Sequence, residues 1–225
     1  MIRKLSGLLA IVFCMVVLGC NVAQTASDDV PSELMLAAEP TPVDPSRTKT
    51  AVFAGGCFWG VEAVFEHVKG VVDARSGYAG GVEKMAKYEL VGMGDTGHAE
   101  SVEVVFDPAV VSYEQLLAIF FSVAHDPTQL NRQGPDVGTQ YRSAILYKDG
   151  EQKIAALGFV KKLTAEKRFR RPIVTEVAEL KGFYPAEDYH QDYLKLHPNE
   201  PYIVVNDQPK IVALKKQFPE RYVER

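Results

Sequence analysis

The apolar residues of the chain recur with two different periods. After the strand-like run "TAVFAGG", residues Phe58, Val61, Val64, Phe65 and Val68 keep helical spacing until Gly70, which predicts a strand, a Gly-Gly turn and a helix. "ESVEVVFDP" alternates and then turns at Asp107-Pro108, the pattern of a strand with one face in a core. Ser112 followed by Gln115 resembles a capping box and opens a helix with Leu116, Leu117, Phe120 and Phe121 on its inner side. "VVDARSGYAGG" predicts a strand running into a loop, and "YRSAILY" and "PIVTEVAEL" predict two more strands. Residues 151–168 read as a helix, and 185–196 and 208–218 as two closing helices. His125 to Gln140 is a long polar loop of the kind that more often carries function than structure. Strands and helices interleave with uneven connections and no internal repeat. The expected class is therefore α+β, a two-layer sandwich with a mostly antiparallel, mixed sheet.

Before residue 50 neither period holds. Arg3 and Lys4 precede an uncharged run from Leu5 to Leu18 that ends in "VLGC", the layout of a secretory signal: a positive start, an apolar stretch short for a bilayer, and small residues at a cleavage point. "LGC" resembles the bacterial lipoprotein box, which implies lipid on Cys20. An uncleaved anchor helix is the alternative, disfavoured by the abrupt stop at Gly19. Residues 21–49 contain prolines at 31, 40, 42 and 45 and no sustained apolar period, so they cannot bury enough surface to offset the entropy of ordering. The expected organisation is a signal peptide over 1–19, a lipidated Cys20 with a tether to residue 49, and one domain over 50–225. That domain would be held at a membrane of the cell envelope, facing a periplasm.

Charge excludes one class of partner. The formal net charge is −4, from 25 basic and 29 acidic residues, and loss of Arg3 and Lys4 with the signal makes the chain more acidic still. Nucleic-acid binding needs clustered Lys and Arg to replace phosphate counterions; "EKRFRR" (166–171) is a short run that reads as a solvated helix end.

Cysteine use points to chemistry. Of three cysteines, Cys14 leaves with the signal and Cys20 takes lipid, so Cys57 is unpaired in an oxidising compartment, where a leftover thiol is a candidate nucleophile. "AGGCFWG" puts it at a strand-to-helix turn, where free backbone N–H groups and the helix dipole are expected to lower the thiol pKa. The competing reading is a packed core thiol. Glu100, at the start of the alternating strand, becomes a general acid if burial raises its pKa; otherwise it is an exposed strand-end charge. Asp136 and Tyr141 lie in the Gly-rich loop and Tyr88 in "AKYELVG", and single tyrosines are commonly half-buried packing residues.

Five stretches occurring in order, "GGCFWG" (55–60), "SGYAGG" (76–81), "GDTGHAE" (94–100), "GTQYRS" (138–143) and "AEDYHQDYL" (186–194), make residues 50–225 resemble the peptide methionine sulfoxide reductase A family. The resemblance implies a ferredoxin-like plait core and no bound metal or cofactor. It implies that Cys57 is the nucleophile, that Glu100 donates a proton to the sulfoxide oxygen, and that Tyr88 and Tyr141 hydrogen-bond that oxygen. Phe58 and Trp59 would cage the ε-methyl, Asp136 would contact substrate or water, and His190 would support the site. The substrates implied are oxidised proteins or peptides, reduced at the S epimer alone. No cysteine follows Cys57, whereas many relatives resolve the sulfenic acid with one, so this resembles a one-cysteine member recycled by an external thiol: a thioredoxin-like protein, a glutaredoxin or a small thiol. A monomer suffices for this chemistry. Two other classes compete: a cysteine hydrolase using one of the five histidines (67, 98, 125, 190, 197) as base, and a lipid-anchored binding module that does not turn over.

Overall fold

The structure is a computed structural model that describes residues 45–225, all within one structural unit. The expected signal peptide, Cys20 and nearly all of the tether lie outside the described residues.

Strand β1 (Lys49–Gly55) is buried from Ala51 onward, which is why the run holds no charge after Lys49. It pairs antiparallel with β3 (Ala99–Phe106) on one side and β6 (Ser143–Tyr147) on the other. β2 (Val71–Ala79) continues the sheet beyond β3 and is edged by β8 (Phe183–Pro185), while β7 (Glu176–Glu179) lies parallel to β6. The order β7-β6-β1-β3-β2-β8 is thus mixed and mostly antiparallel, as expected.

Alternation in β1 sorts its side chains between two faces. Ala51 lies opposite Val104 and Phe53 opposite Val102, and this face forms the main core with α1 (Phe58–Glu66), α3 (Tyr113–Ile119), α4 (Gly150–Ala165) and α6 (Gln208–Gln217). Phe53 stacks between Phe65 and Phe120, with ring centroids 5.0 Å from each. Val52 and Leu146 point to the opposite face, where Leu180 and Phe183 pack against them. The helices therefore form one layer and the sheet the other.

The capping box at Ser112 is formed by both of its bonds, Gln115 N–H to Ser112 Oγ at 3.2 Å and Ser112 N–H to Gln115 Oε1 at 2.9 Å. The helix then widens into a π-helical turn over Phe120–Ala124, and such turns are frequent at functional sites. The loop from His125 to Gln140 contains a small ribbon, β4 (Arg132–Gln133) with β5 (Asp136–Val137). A one-turn helix, α2 (Tyr88–Val91), was not evident from periodicity.

The helix expected over 185–196 is a broken clasp instead: the end of β8, a 3-10 turn at Asp188–His190, and α5 (Tyr193–Leu196). Asp192 interrupts it at φ 53°. The cause lies in long-range bonds. Gln191 grips β2 through Ser76, accepting its N–H at 3.0 Å and donating to its carbonyl at 3.1 Å, which holds the backbone off a helical path. Among the described residues no helix is long and apolar enough to cross a membrane.

One glycine in α1 fixes where the C-terminal layer docks. A Cβ at Gly60 would overlap Asp207 Oδ1 and come within 2.7 Å of Lys210 Nζ, so the absence of a side chain lets the turn at Ile203–Asp207 lie against the first turn of α1. Gly60→Ala should therefore destabilise the protein by about 2 kcal/mol through overpacking, against the usual stabilising effect of alanine in a helix. Thermal denaturation reads the sign directly.

Candidate active site

Cys57 stands at the junction that the sequence indicated, between the end of β1 and the first residue of α1, and is 8% exposed. Gly56 makes the turn with φ +94°, and a Cβ there would come within 2.6 Å of the Gln133 side chain, so the β4–β5 ribbon packs directly over the turn. The sulfur lines a cavity of about 310 Å³ together with His125, Gln133, Asp136, Tyr202 and Lys210.

Glu100, the second residue of β3, is 3% exposed, and its Oε2 accepts the Phe58 N–H at 3.0 Å. One of the free amides at the head of α1 is thereby used on the carboxyl group. Burial pushes the Glu100 pKa up to about 8, with the charges of Asp136 and Asp207 acting in the same direction and the Phe58 amide against them. The acid is protonated at neutral pH.

The thiol departs from the expectation based on the helix dipole. Burial comes first, then the negative charges of Glu100 and Asp207, and together they hold the Cys57 thiol well above the ordinary range; the Trp59 amide and Lys210 pull the other way and lose. A helix N-terminus favours thiolate only where solvent or a cation supports the charge. Here both the thiol and the Glu100 carboxyl rest neutral.

The phenols of Tyr88 and Tyr141 both feel Glu100 and Cys57, and burial with those charges raises the pKa of each. Two loops bring them together. Tyr88 opens α2, where its N–H binds Glu187 Oε1 at 3.1 Å, and Tyr141 ends a 3-10 turn at Thr139–Tyr141. Gln140 donates to the Gly92 carbonyl at 3.1 Å and Thr139 to that of Gly94 at 2.6 Å, so the turn bearing Tyr141 is stitched to the end of the helix bearing Tyr88.

Phe58 is buried with its ring 5.1 Å from that of His190. Trp59 is only partly buried; it lies flat on Tyr193 at 3.8 Å and meets Tyr202 edge-on at 5.9 Å. The Trp59 indole N–H donates to His190 Nδ1 at 3.1 Å, and burial lowers the His190 pKa, so the imidazole is neutral with its proton on Nε2. Its ring also packs on Tyr88 at 4.3 Å. Asp136 accepts a hydrogen bond from the Tyr202 hydroxyl.

All eight candidate residues within the described region thus lie around one site. The periodicity gave no warning of Glu187, Tyr193, Tyr202, Asp207 or Lys210, which complete it. Glu187 and Tyr193 lie within the quoted "AEDYHQDYL", and the others in "PYIVVNDQPK", a stretch whose polar residues follow no helical stripe. Among the described residues no group of three or more His, Cys, Asp or Glu is arranged to hold a metal ion.

The ring nitrogens of the buried His67, His98 and His190 and of the half-buried His125 make their hydrogen bonds with Ala63 O, Val82 O and Gly81 N, Trp59, and Phe120 O and Ser143 Oγ respectively, and none of these bonds goes to Cys57. The hydrolase arrangement, which requires a histidine base on the thiol, is therefore not assembled among the described residues.

A sequence profile of the peptide methionine sulfoxide reductase family matches residues 49–222. The chain is 57% identical over 178 residues to peptide methionine sulfoxide reductase MsrA 2 of Mesorhizobium japonicum, covering 79% of this chain and 91% of that one. It is 51% identical over 173 residues to MsrA of Pasteurella multocida, covering 77% and 98%. Among solved structures it is similar to reduced Mxr1 of Saccharomyces cerevisiae, at TM-score 0.65 and 35% identity over 70% of this chain and 90% of that one. Methionine sulfoxide reductase A of Corynebacterium diphtheriae aligns at TM-score 0.61 and 38% identity, over 70% and 78%. With a buried thiol, a protonated acid and an aromatic pocket meeting at one turn, the chain belongs to the peptide methionine sulfoxide reductase family, and its reaction is the reduction of methionine sulfoxide.

Proposed function

We propose that Cys57 and Glu100 carry the chemistry as a pair of neutral acids that react only when a sulfoxide arrives. The observation that supports this most strongly is the 3.0 Å bond from Phe58 N–H to Glu100, which seats a carboxyl with a pKa near 8 at the head of the cysteine's own helix. A sulfoxide oxygen entering between Glu100, Tyr88 and Tyr141 is a strong acceptor. As a bond forms from Cys57 Sγ to the substrate sulfur, the Glu100 proton moves to that oxygen and the Cys57 proton takes its place on the carboxyl. The two phenols stabilise the charge while it is in transit. Departure of methionine leaves the oxygen on Cys57 as a sulfenic acid: the substrate sulfur has gained two electrons and Cys57 has lost two.

Phe58 and Trp59 wall the methyl group, with Tyr193 and Tyr202 holding Trp59 in place, and a chiral pocket of this kind takes the S epimer. Asp136, tethered by Tyr202, contacts the substrate chain or a bound water, and His190 fixes the tilt of the Trp59 ring. Because no cysteine follows Cys57 in the sequence, an external thiol attacks the sulfenic acid, releasing water and forming a mixed disulfide that a second thiol resolves. A thioredoxin-like protein, a glutaredoxin or a small thiol supplies both equivalents. The "VLGC" run supports export and a lipid on Cys20, with residues 20–49 as a tether and the catalytic body acting as one copy in the cell envelope.

Three outcomes test the assignment. Wild-type protein exposed to a methionine sulfoxide peptide without reductant should acquire a sulfenic acid on Cys57, trappable and located by mass spectrometry, and Cys57→Ser should acquire none. Glu100→Gln, which keeps the acceptor for Phe58 but has no proton to give, should slow single turnover by roughly 10²-fold or more. The wild-type rate should fall as pH rises through about 8, where Glu100 loses its proton; a rate that is flat through that range, or a fast Glu100→Gln enzyme, would remove Glu100 from the mechanism.

A further inference from the structure

Six of the eleven residues from Lys161 to Arg171 are Lys or Arg, and Glu166 is their only acid, in a chain whose net charge is −4. All six cations are exposed. The helix dipole accounts for two of them, because Lys161 and Lys162 lie toward the C-terminal end of α4. It does not account for Lys167, Arg168, Arg170 and Arg171, which lie beyond the cap at Glu166. Nor is this stretch a loose tail. The Arg168 N–H reaches back to the Leu163 carbonyl at 3.0 Å and the Lys167 N–H to that of Thr164 at 3.1 Å, the pair of bonds that closes a helix on a left-handed residue. Lys167 holds that position at φ 50°, where glycine is usual.

Lys167, Arg170 and Arg171 line a cavity of about 470 Å³ with Leu163, Phe169 and Ile173, and the reaction uses none of them. The loop nonetheless reaches the rim of the reactive cavity. Arg171 Nη2 is 3.5 Å from Asp126 Oδ2, and Asp126 lines the cavity at Cys57. Three residues further on, the Val174 N–H donates to the Pro127 carbonyl at 2.8 Å. Among the described residues Arg171 is the one of the six cations that forms an ion pair. Lys167, Arg168 and Arg170 are thus left without a carboxylate on a loop that leads to the site. The acids of the reactive cavity are already engaged, Asp126 by Arg171 and Asp136 by the Tyr202 hydroxyl.

We propose that this loop is a docking surface for acidic segments of the proteins under repair: with methionine sulfoxide in the cavity at Cys57, Asp or Glu side chains of the same segment lie along Lys167, Arg168 and Arg170. This rests on that cavity receiving the sulfoxide. Guanidinium groups present paired N–H donors to carboxylates, and Leu163, Phe169 and Ile173 offer apolar surface to the methylenes of such a chain. Continuity with the rim favours the substrate as occupant. A methionine sulfoxide within a protein has chain on both sides of it that must cross this rim, whereas a lipid surface has no need to adjoin the site.

The test uses three peptides of equal length, each with a central methionine sulfoxide flanked on both sides by Glu, Gln or Lys. Binding is read by fluorescence anisotropy of the labelled peptide on full-length Cys57→Ser protein, and kcat/KM on the active enzyme with a small dithiol as reductant. At low salt the Glu peptide should bind roughly five-fold or more tightly than the Gln peptide, and the Lys peptide should bind most weakly, with the same order in kcat/KM. Added salt should shrink the differences. In Lys167→Gln/Arg168→Gln/Arg170→Gln, which leaves Arg171 on Asp126, the Glu preference should disappear in both readouts. The Gln peptide should keep its wild-type kcat/KM there, which also shows that the variant is folded. Equal affinity for the Glu and Gln peptides in wild type, or a Glu preference that survives the triple substitution, would overturn the assignment. So would a triple variant whose only defect is slower recycling by a thioredoxin-like protein, or weaker binding to phosphatidylglycerol vesicles, because the loop would then serve the reductant or a lipid surface. Anisotropy needs no turnover, so a failure of the reductase reading would show separately, as peptide binding without release of methionine by the active enzyme.

Discussion

A single buried hydrogen bond, from the Phe58 amide to Glu100, joins the head of the first helix to the middle of the sheet, and the site depends on it. Without a donor, a carboxyl group 3% exposed would carry the full desolvation cost of a buried polar group. With one amide it remains in place but stays protonated, because one donor does not offset burial beside Asp136 and Asp207. The same bond takes up an amide that the dipole argument assigns to the thiol. Cys57 and Glu100 therefore both hold their protons, the thiol because burial comes first and the charges of Glu100 and Asp207 add to it.

The rest of the fold holds this pair dry and walled. Cys57 follows the end of β1, and Glu100 lies on β3, the antiparallel neighbour of β1 near the centre of the sheet. The remaining walls come from segments with few regular hydrogen bonds of their own: the loop at Thr139–Tyr141, the clasp after β8 and the π-helical turn at Ile203–Asp207. Each is tied down by side chains instead, Gln140 to Gly92, Gln191 to Ser76, and Asp207 to Lys210 at 3.0 Å across the space left by Gly60. Tyr202, Asn206 and Lys210, from the stretch that runs into α6, line the cavity at the Cys57 sulfur.

The parts of this arrangement that were legible in the sequence are the local ones. Alternation marked β3, helical spacing marked α1, and Ser112 with Gln115 marked a helix start, because each signal is written within a few residues of where it acts. The strand-Gly-Gly-Cys-helix junction placed the thiol correctly for the same reason. The clasp was misread as a helix because Gln191 answers to Ser76, more than a hundred positions earlier. The state of Cys57 was misjudged for a related reason: the dipole is local, whereas the burial and the carboxyl charge that outweigh it come from β3 and from Asp207. Tyr202 and Lys210 belong to the site through packing alone and carry no periodic signal.

The measurement closest to the central claim is the alkylation rate of Cys57 in the resting protein as a function of pH, read by mass spectrometry of its peptide, in wild type and in Glu100→Gln. Mutual protonation predicts a thiol that titrates well above the ordinary range in wild type and at lower pH once the Glu100 charge is removed. A wild-type Cys57 already present as thiolate at pH 7, or a titration unchanged by Glu100→Gln, would contradict it.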